Sequence, residues 1–229
     1  MSPRSRPADP APTHGAPEAP RAQYHHGDLR HALLEATVQI LAEVGAEAFT
    51  LREAARRAGV NHRAIYRHFE DKQALLAAIA EEGYRALGAE MQAAVEAIEL
   101  PDNAPTQQRI DRLVAFAEAY LRFARREPAR FQVMFGPRLN ADERFPSLEE
   151  AIKSTVRVLS GELKALAPLA PSRARRDAGL SLWSTIHGLS SLVLSGRVPL
   201  SDRHLKSYVA TLLTPVAEGL ARALVPDEA

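Results

Sequence analysis

An all-α fold is predicted, with a small N-terminal helix-turn-helix unit of three helices followed by a larger helical domain. Three observations predict it. Apolar residues recur at three- and four-residue steps along most of the chain. Capping residues and Gly or Pro breaks divide those stretches at helical lengths. No run of alternating β-branched residues bounded by hairpin turns occurs. The expected organisation is a tail over 1–23, a helix-turn-helix unit over 24–72 and a larger helical domain over 73–229.

The elements follow in order. Met1 to Arg21 holds six prolines and no apolar stretch, which predicts a disordered tail and not a secretory signal. From Asp28 the first helix carries Leu29, Leu33, Leu34, Ile40 and Leu41 on one stripe. Asp28 lies in its first turn, and Gly45 is expected as a left-handed cap. Thr50, three residues before Glu53, reads as a capping box and opens a second, short helix that Gly59 stops. Asn61 caps a third helix, His62 to Phe69, with Ile65 and Phe69 pointing inward. Asp71 caps a fourth that runs toward Ile98. Pro101, Asn103 and Pro105 mark a break. Five further helices are predicted: Thr106 to Arg126, Ala129 to Phe135, Ser147 to Ala167, Ser172 to Leu194 and Ser201 to Leu224. Pro215 is expected to kink the last.

Composition narrows the function. The chain of 229 residues contains no cysteine, which excludes disulfide scaffolds, thiolate metal sites and cysteine nucleophiles. Lys and Arg number 29 against 28 Asp and Glu, so any nucleic-acid surface has to be local. No stretch reaches the roughly 18 uninterrupted apolar residues of a membrane span, and a cytoplasmic protein is expected. There is no phosphate loop, no His-Glu-x-x-His and no dinucleotide fingerprint, and Gly188 to Leu192 lacks the second glycine of a nucleophile elbow. No enzyme is expected. His25, His26 and His31 are too weak a grouping for a metal site. Neither metal nor cofactor is expected.

The functional signal lies in Thr50 to Phe69. Two capped helices around a Gly59-Val60 turn form a helix-turn-helix, whose second helix can enter the major groove of DNA. Leu51 to Lys72 carries a local excess of three positive charges in a chain whose total is +1. That is the footprint of a phosphate binder. Asn61, His62 and Arg63 can donate to base edges, and Tyr66 and the Thr50 hydroxyl suit phosphate oxygens. Short helix pairs with a glycine turn also occur as plain packing elements, and a basic helix face is often only solvated. An architectural DNA binder without ligand control and an all-α interaction module without DNA binding therefore remain as rival classes.

The run from Thr50 to Phe69, then Asp71-Lys72 and Leu75-Leu76, resembles the DNA-binding domain of the tetracycline-repressor (TetR) family. Tyr66-Arg67-His68-Phe69 followed by Lys72 is its most specific part, and Tyr24 to Arg30 resembles the entry to the first helix in many members. Trp183 with His187-Gly188 is similar to the WHG type of C-terminal regulatory domain in this family. The resemblance implies a homodimer of about nine helices, a transcription factor (usually a repressor) that a small-molecule effector releases from a palindromic operator. It also implies that Arg52, His62, Arg63 and Ala64 approach bases, Ala64 by its methyl group alone. Thr50, Tyr66, His68 and Lys72 would hold phosphates, with Asn61 at the cap.

Two further readings concern the C-terminal domain. The helix from 172 to 194 reads as apolar or small on nearly every face, and the one from 201 to 224 presents Leu205, Tyr208, Val209, Leu212, Leu213, Val216 and Leu220. Two such hairpins from two chains would make a four-helix dimer interface. A fully buried monomer core is the alternative. Phe116, Tyr120, Phe123, Phe131, Met134 and Phe135 either line an effector pocket or form ordinary core. Trp183 and His187 complete the pocket candidates, although spacing alone favours Trp183 as core and His187 as a hydrogen-bonded core histidine more than a ligand group.

Overall fold

The computed structural model describes residues 26–101 and 103–225. Nine helices and no strand occur among them: α1 (His26–Ala48), α2 (Leu51–Arg57), α3 (His62–Ile65), α4 (Lys72–Glu96), α5 (Thr106–Arg126), α6 (Pro128–Phe135), α7 (Pro146–Leu166), α8 (Ser172–Leu194) and α9 (Asp202–Leu224). The fold is all-α, as the periodicity requires. The expected tail and the Tyr24-His25 entry lie outside the described residues, as do the side chains of His26 and Asp28.

Local chemistry sets the N-terminal elements. The cap expected at Gly45 is corrected: its φ of 76° is left-handed but its ψ of 172° is extended, so α1 kinks there and takes one more turn to Ala48. Phe49 then turns inward, 2% exposed. Thr50 Oγ1 accepts from the Glu53 N–H at 3.2 Å. The reciprocal half of the capping box is absent because the Glu53 carboxylate is held by Arg56. After α2 the Val60 N–H reaches the Ala55 carbonyl, five residues back, at 2.9 Å. That closure needs a left-handed residue, and Gly59 supplies it with φ 71°. Asn61 Oδ1 accepts from the Arg63 N–H at 2.9 Å. Helix α3 is shorter than expected, ending at Ile65. The Arg67 and His68 N–H groups bond three residues back, tightening the last turn into the Phe69 anchor. Helix α9 continues through Pro215.

The buried apolar residues form one continuous cluster from Leu33 to Leu224. Helix α4 runs through it and packs chiefly on α7 and α5, with α6 and α1 on its other sides; α8 and α9 cover α5. Close approach of α4 and α6 occurs at Gly83, where a Cβ would stand 2.5 Å from Met134 Sδ. The Tyr84 hydroxyl next to it donates to the Met134 carbonyl at 2.8 Å, and burial raises its pKa to about 12.

Two arginines fasten the N-terminal unit to the helices beyond it. Arg130 of α6, only 7% exposed, donates to Glu35 of α1 at 2.7 Å and lies 3.5 Å from Glu82 of α4. Arg144, in the α6–α7 connection, donates to Asp71 Oδ2 at 2.9 Å and to Glu70 at 3.2 Å. Asp71 also accepts from the Ala74 N–H at 2.7 Å. That backbone bond first, and Arg144 second, holds its carboxyl below the usual range.

An aromatic cluster joins α5, α6 and α8. Tyr120 Oη lies 2.9 Å from His187 Nδ1. Phe131 stacks on the His187 ring with centroids 5.5 Å apart, and Phe135 meets it edge-on at 4.8 Å. His187 is thus a hydrogen-bonded, half-buried histidine. Trp183 is corrected: it packs on Phe135 and His187 but remains 38% exposed.

Two predictions follow from these contacts. A double-mutant cycle on Glu35→Gln and Arg130→Met, read by urea unfolding, should give a coupling of about 1 kcal/mol. Strict additivity would mean that the pair does not tie α1 to α6. Burial holds the His187 pKa below the ordinary imidazole value of 6.5. The unfolded chain therefore binds a proton there that the folded chain resists. Stability should fall as pH drops through the interval just below 6.5 and level off above it. The His187→Phe chain should lack that segment of the profile. Identical pH profiles for the two chains would rule out His187 as the source.

Candidate nucleic-acid interface and ligand cavity

The interface candidates sit on α2, α3 and the N-terminus of α4. Ala54, Ala55 and Ile65 are fully buried and Phe69 nearly so. With that side turned inward, the opposite side of α3 faces solvent: Asn61, His62, Arg63, Tyr66 and Arg67 are all exposed, Tyr66 by 57%. Thr50 and Arg52 are exposed at the start of α2, whereas Ala64 and His68 are half-buried. An exposed tyrosine among cations, carried on a helix whose inner side is locked, is a rigid polar surface.

The cations divide into two groups that the sequence does not distinguish. Arg57 makes a two-pronged bridge to Glu43 of α1 at 2.6 and 2.8 Å. Arg56 does the same to Glu53 at 2.8 and 2.6 Å. These hydrogen bonds hold both carboxyls below their ordinary range. Lys72 donates to the Glu47 carbonyl at 2.8 Å and stands 4.8 Å over the Phe49 ring. The side chains of Arg52, Arg63 and Arg67 make no hydrogen bond or ion pair among the described residues. The surplus of charge read from the sequence is therefore concentrated on these three residues, and two of them flank Tyr66. His31, Glu35 and Glu82 bring ligand atoms within 4.8 Å of one another, but Arg130 and Arg30 already engage the two carboxylates.

A cavity of about 690 Å³ opens in the C-terminal helices. Of the residues predicted for a pocket, Phe116, Tyr120, Phe135 and Trp183 line it. Phe123, Phe131, Met134 and His187 do not. Phe123, Phe131 and Met134 are buried packing residues, and His187 stands behind Tyr120 as its hydrogen-bond partner. The sequence reading missed two walls. One is α4, through Tyr84, Leu87 and Met91; the other is α7, through Ile152, Thr155, Val156 and Leu159. Their spacing is that of any buried stripe, so nothing in the sequence marks them. Burial of Tyr120 raises its pKa, so the phenol stays protonated.

The outer side of α8 departs from expectation. Ser181, Ser184, Thr185, Gly188 and Ser191 are exposed there, with Leu192 the large apolar exception at 44%. That side is small and polar more than apolar. On α9, Leu212 is 40% exposed and Tyr208, Val216 and Leu220 are half-buried.

Comparison with known proteins bears on this architecture. Residues 33–79 match the family described as bacterial regulatory proteins, tetR family. Residues 113–215 match the tetracyclin repressor-like C-terminal domain. The class C tetracycline repressor protein of Escherichia coli is 44% identical over 52 residues, 23% of this chain, and the match spans 24% of that relative's length. A solved protein of unknown function from Rhodococcus sp. RHA1 is 31% identical with a TM-score of 0.65, covering 89% of this chain and 99% of its own. A regulatory protein in the tetR family from Rhodococcus RHA1, at 23% identity and a TM-score of 0.57, shares the fold over 86% of this chain and 96% of its own. With a helix-turn-helix and a C-terminal helical domain that both match its models, the chain belongs to the TetR family of transcription regulators.

Proposed function

We propose that this chain is a ligand-responsive, sequence-specific DNA-binding regulator, most simply a repressor, that works as a homodimer on a palindromic operator in the cytoplasm. One observation carries the reading: Arg63, Tyr66 and Arg67 stand exposed and unbridged on the outer side of a helix whose inner side is anchored by Ile65 and Phe69. Residues 24–72 act as the DNA-binding unit and 73–229 as the regulatory and dimerisation domain. Arg52, His62, Arg63 and Ala64 face base edges. Thr50, Tyr66, His68 and Lys72 hold phosphates, with Asn61 fixing the start of α3. Phosphate contacts then dominate affinity and make it steeply salt-dependent.

The dimer forms through α8 and α9. Small residues on the outer side of α8 allow close helix approach, and the half-covered stripe of α9 supplies apolar area. Two-fold symmetry places the recognition helices about 34–36 Å apart, or at a multiple of one DNA turn. The effector occupies the cavity bounded by Phe116, Tyr120, Phe135 and Trp183. Its occupancy reaches the DNA-binding unit by α4, the covalent route, and by α6. Phe135 lines the cavity on one side of α6, and Arg130 grips Glu35 on the other. A coupling of about 1–3 kcal/mol is the usual size for such a switch.

Selection of bound duplexes from a random pool, followed by salt titration of the winners, tests the assignment. Arg63→Ala should relax sequence preference by about 1–3 kcal/mol at one position. Lys72→Met should weaken binding to every sequence alike and lower the slope of log affinity on log salt by about 0.9. Uniform loss in both variants would break the division of roles. Failure of the parent chain to retain any duplex at low salt would end the DNA-binding reading.

A further inference from the structure

The polar groups inside the cavity are already taken. The Tyr84 hydroxyl donates to the Met134 carbonyl at 2.8 Å. The Tyr120 hydroxyl pairs with His187 Nδ1 at 2.9 Å and accepts from Trp183 Nε1 at 3.4 Å. Thr155 Oγ1 lies 2.8 Å from both the Tyr84 and Ala151 carbonyls. A polar occupant would lose its water and gain few partners in return. The rest of the interior, including Leu87, Met91, Phe116 and Leu159, is hydrocarbon, ring carbon and the Met91 thioether. The buried part of the occupant is therefore apolar.

The mouth has different chemistry. Helix α7 brings Val156, Ser160 and Lys164 to it at four-residue steps, and α8 brings Ser172, Arg176 and Leu180 in the same way. All six are exposed. Val156 and Leu180, each 58% exposed, extend the apolar surface to the rim. Arg175 also lines the cavity but directs its guanidinium to the Ala167 and Pro168 carbonyls at 3.2 Å. The side chains of Lys164 and Arg176 make no hydrogen bond or ion pair among the described residues, and no Asp or Glu lines the cavity. Two unpartnered cations at the wet end of an apolar cleft select an anion.

We propose that this cavity binds an amphiphile with a hydrocarbon chain and an anionic head, the chain lying against α4 and α5 and the head between Lys164 and Arg176. The proposal names the chemistry of the effector and rests on the regulatory reading only for its consequence at DNA. A carboxylate and a phosphate-bearing thioester share that chemistry.

Trp183 is the chain's single tryptophan and lines the cavity, so its emission reports occupancy. The full-length protein is titrated, below micelle formation, with palmitate, palmitoyl-coenzyme A, hexadecanol and hexadecyltrimethylammonium. At least one anion should saturate the signal, with the alcohol on the order of tenfold weaker and the cation weaker still. The tighter of the two anions identifies the head. The doubly substituted Lys164→Ala, Arg176→Ala chain should lose the preference for anion over alcohol while keeping its affinity for the alcohol. Both side chains are exposed, and circular dichroism checks that the fold is kept. Binding of the alcohol as tight as that of the tighter anion, an unchanged preference in the double variant, or no saturable signal from either anion would overturn the proposal. Gel shift on selected duplexes is read separately. A chain that binds the anions but no DNA defeats the regulator and not the ligand class. One that shifts DNA but ignores the anions does the reverse.

Discussion

Six consecutive residues of α4, Leu75 to Ala80, are buried, so over that stretch the helix has no side left for water. A helix apolar all round has to be covered on every side, and the arrangement of the other elements answers that demand. Its N-terminal end, capped by Asp71, packs against α1. Farther along, Gly83 lets α6 close in, and Leu87, Met91 and Val95 continue the core beneath α5 and α7. One rod thus belongs to two units at once. Displacing it at one end disturbs packing at the other, because close-packed interiors transmit strain instead of absorbing it.

The same economy governs the charged groups. Arginines that staple helices together are held by carboxylates: Arg57 by Glu43, Arg130 by Glu35 and Glu82, Arg144 by Asp71 and Glu70. Cations without a carboxylate partner stand on the outer side of α2 and α3 (Arg52, Arg63, Arg67) and at the mouth between α7 and α8 (Lys164, Arg176). A cation bridged in the protein has a partner to give up before it can meet an anion, whereas one that faces only water has none. Net charge near zero is therefore compatible with two local surfaces of positive potential.

Between those surfaces lie elements that touch both ends. Phe135 borders the cavity while Arg130, five residues earlier and on another side of α6, reaches α1. The aromatic cluster of Tyr120, Phe131, Phe135 and His187 fixes how α6 leans on α5 and α8. Tyr84, which lines the cavity floor, is hydrogen-bonded to the same short helix. An occupant that moved any of these would meet a connected set of buried side chains.

Much of this was legible in the sequence. Helical period, caps and proline breaks placed α5 and α8 at their observed bounds and most other ends within a residue or two, because those signals act on neighbours in the chain. Thr50, Gly59, Asn61 and Asp71 do what their local chemistry dictates, and the exposed row of α3 follows from Ile65 and Phe69 turning inward. Tertiary structure decided what depends on distant partners. Only folding brings Glu43 to Arg57, reduces α3 to four residues before the Phe69 anchor, sets four of the eight expected aromatic and neighbouring residues behind the cavity wall, and opens that cavity against α4 and α7. A buried leucine on a packed stripe and one that borders a cavity have the same spacing; they differ in what stands opposite, and that is fixed by helices far away in the chain.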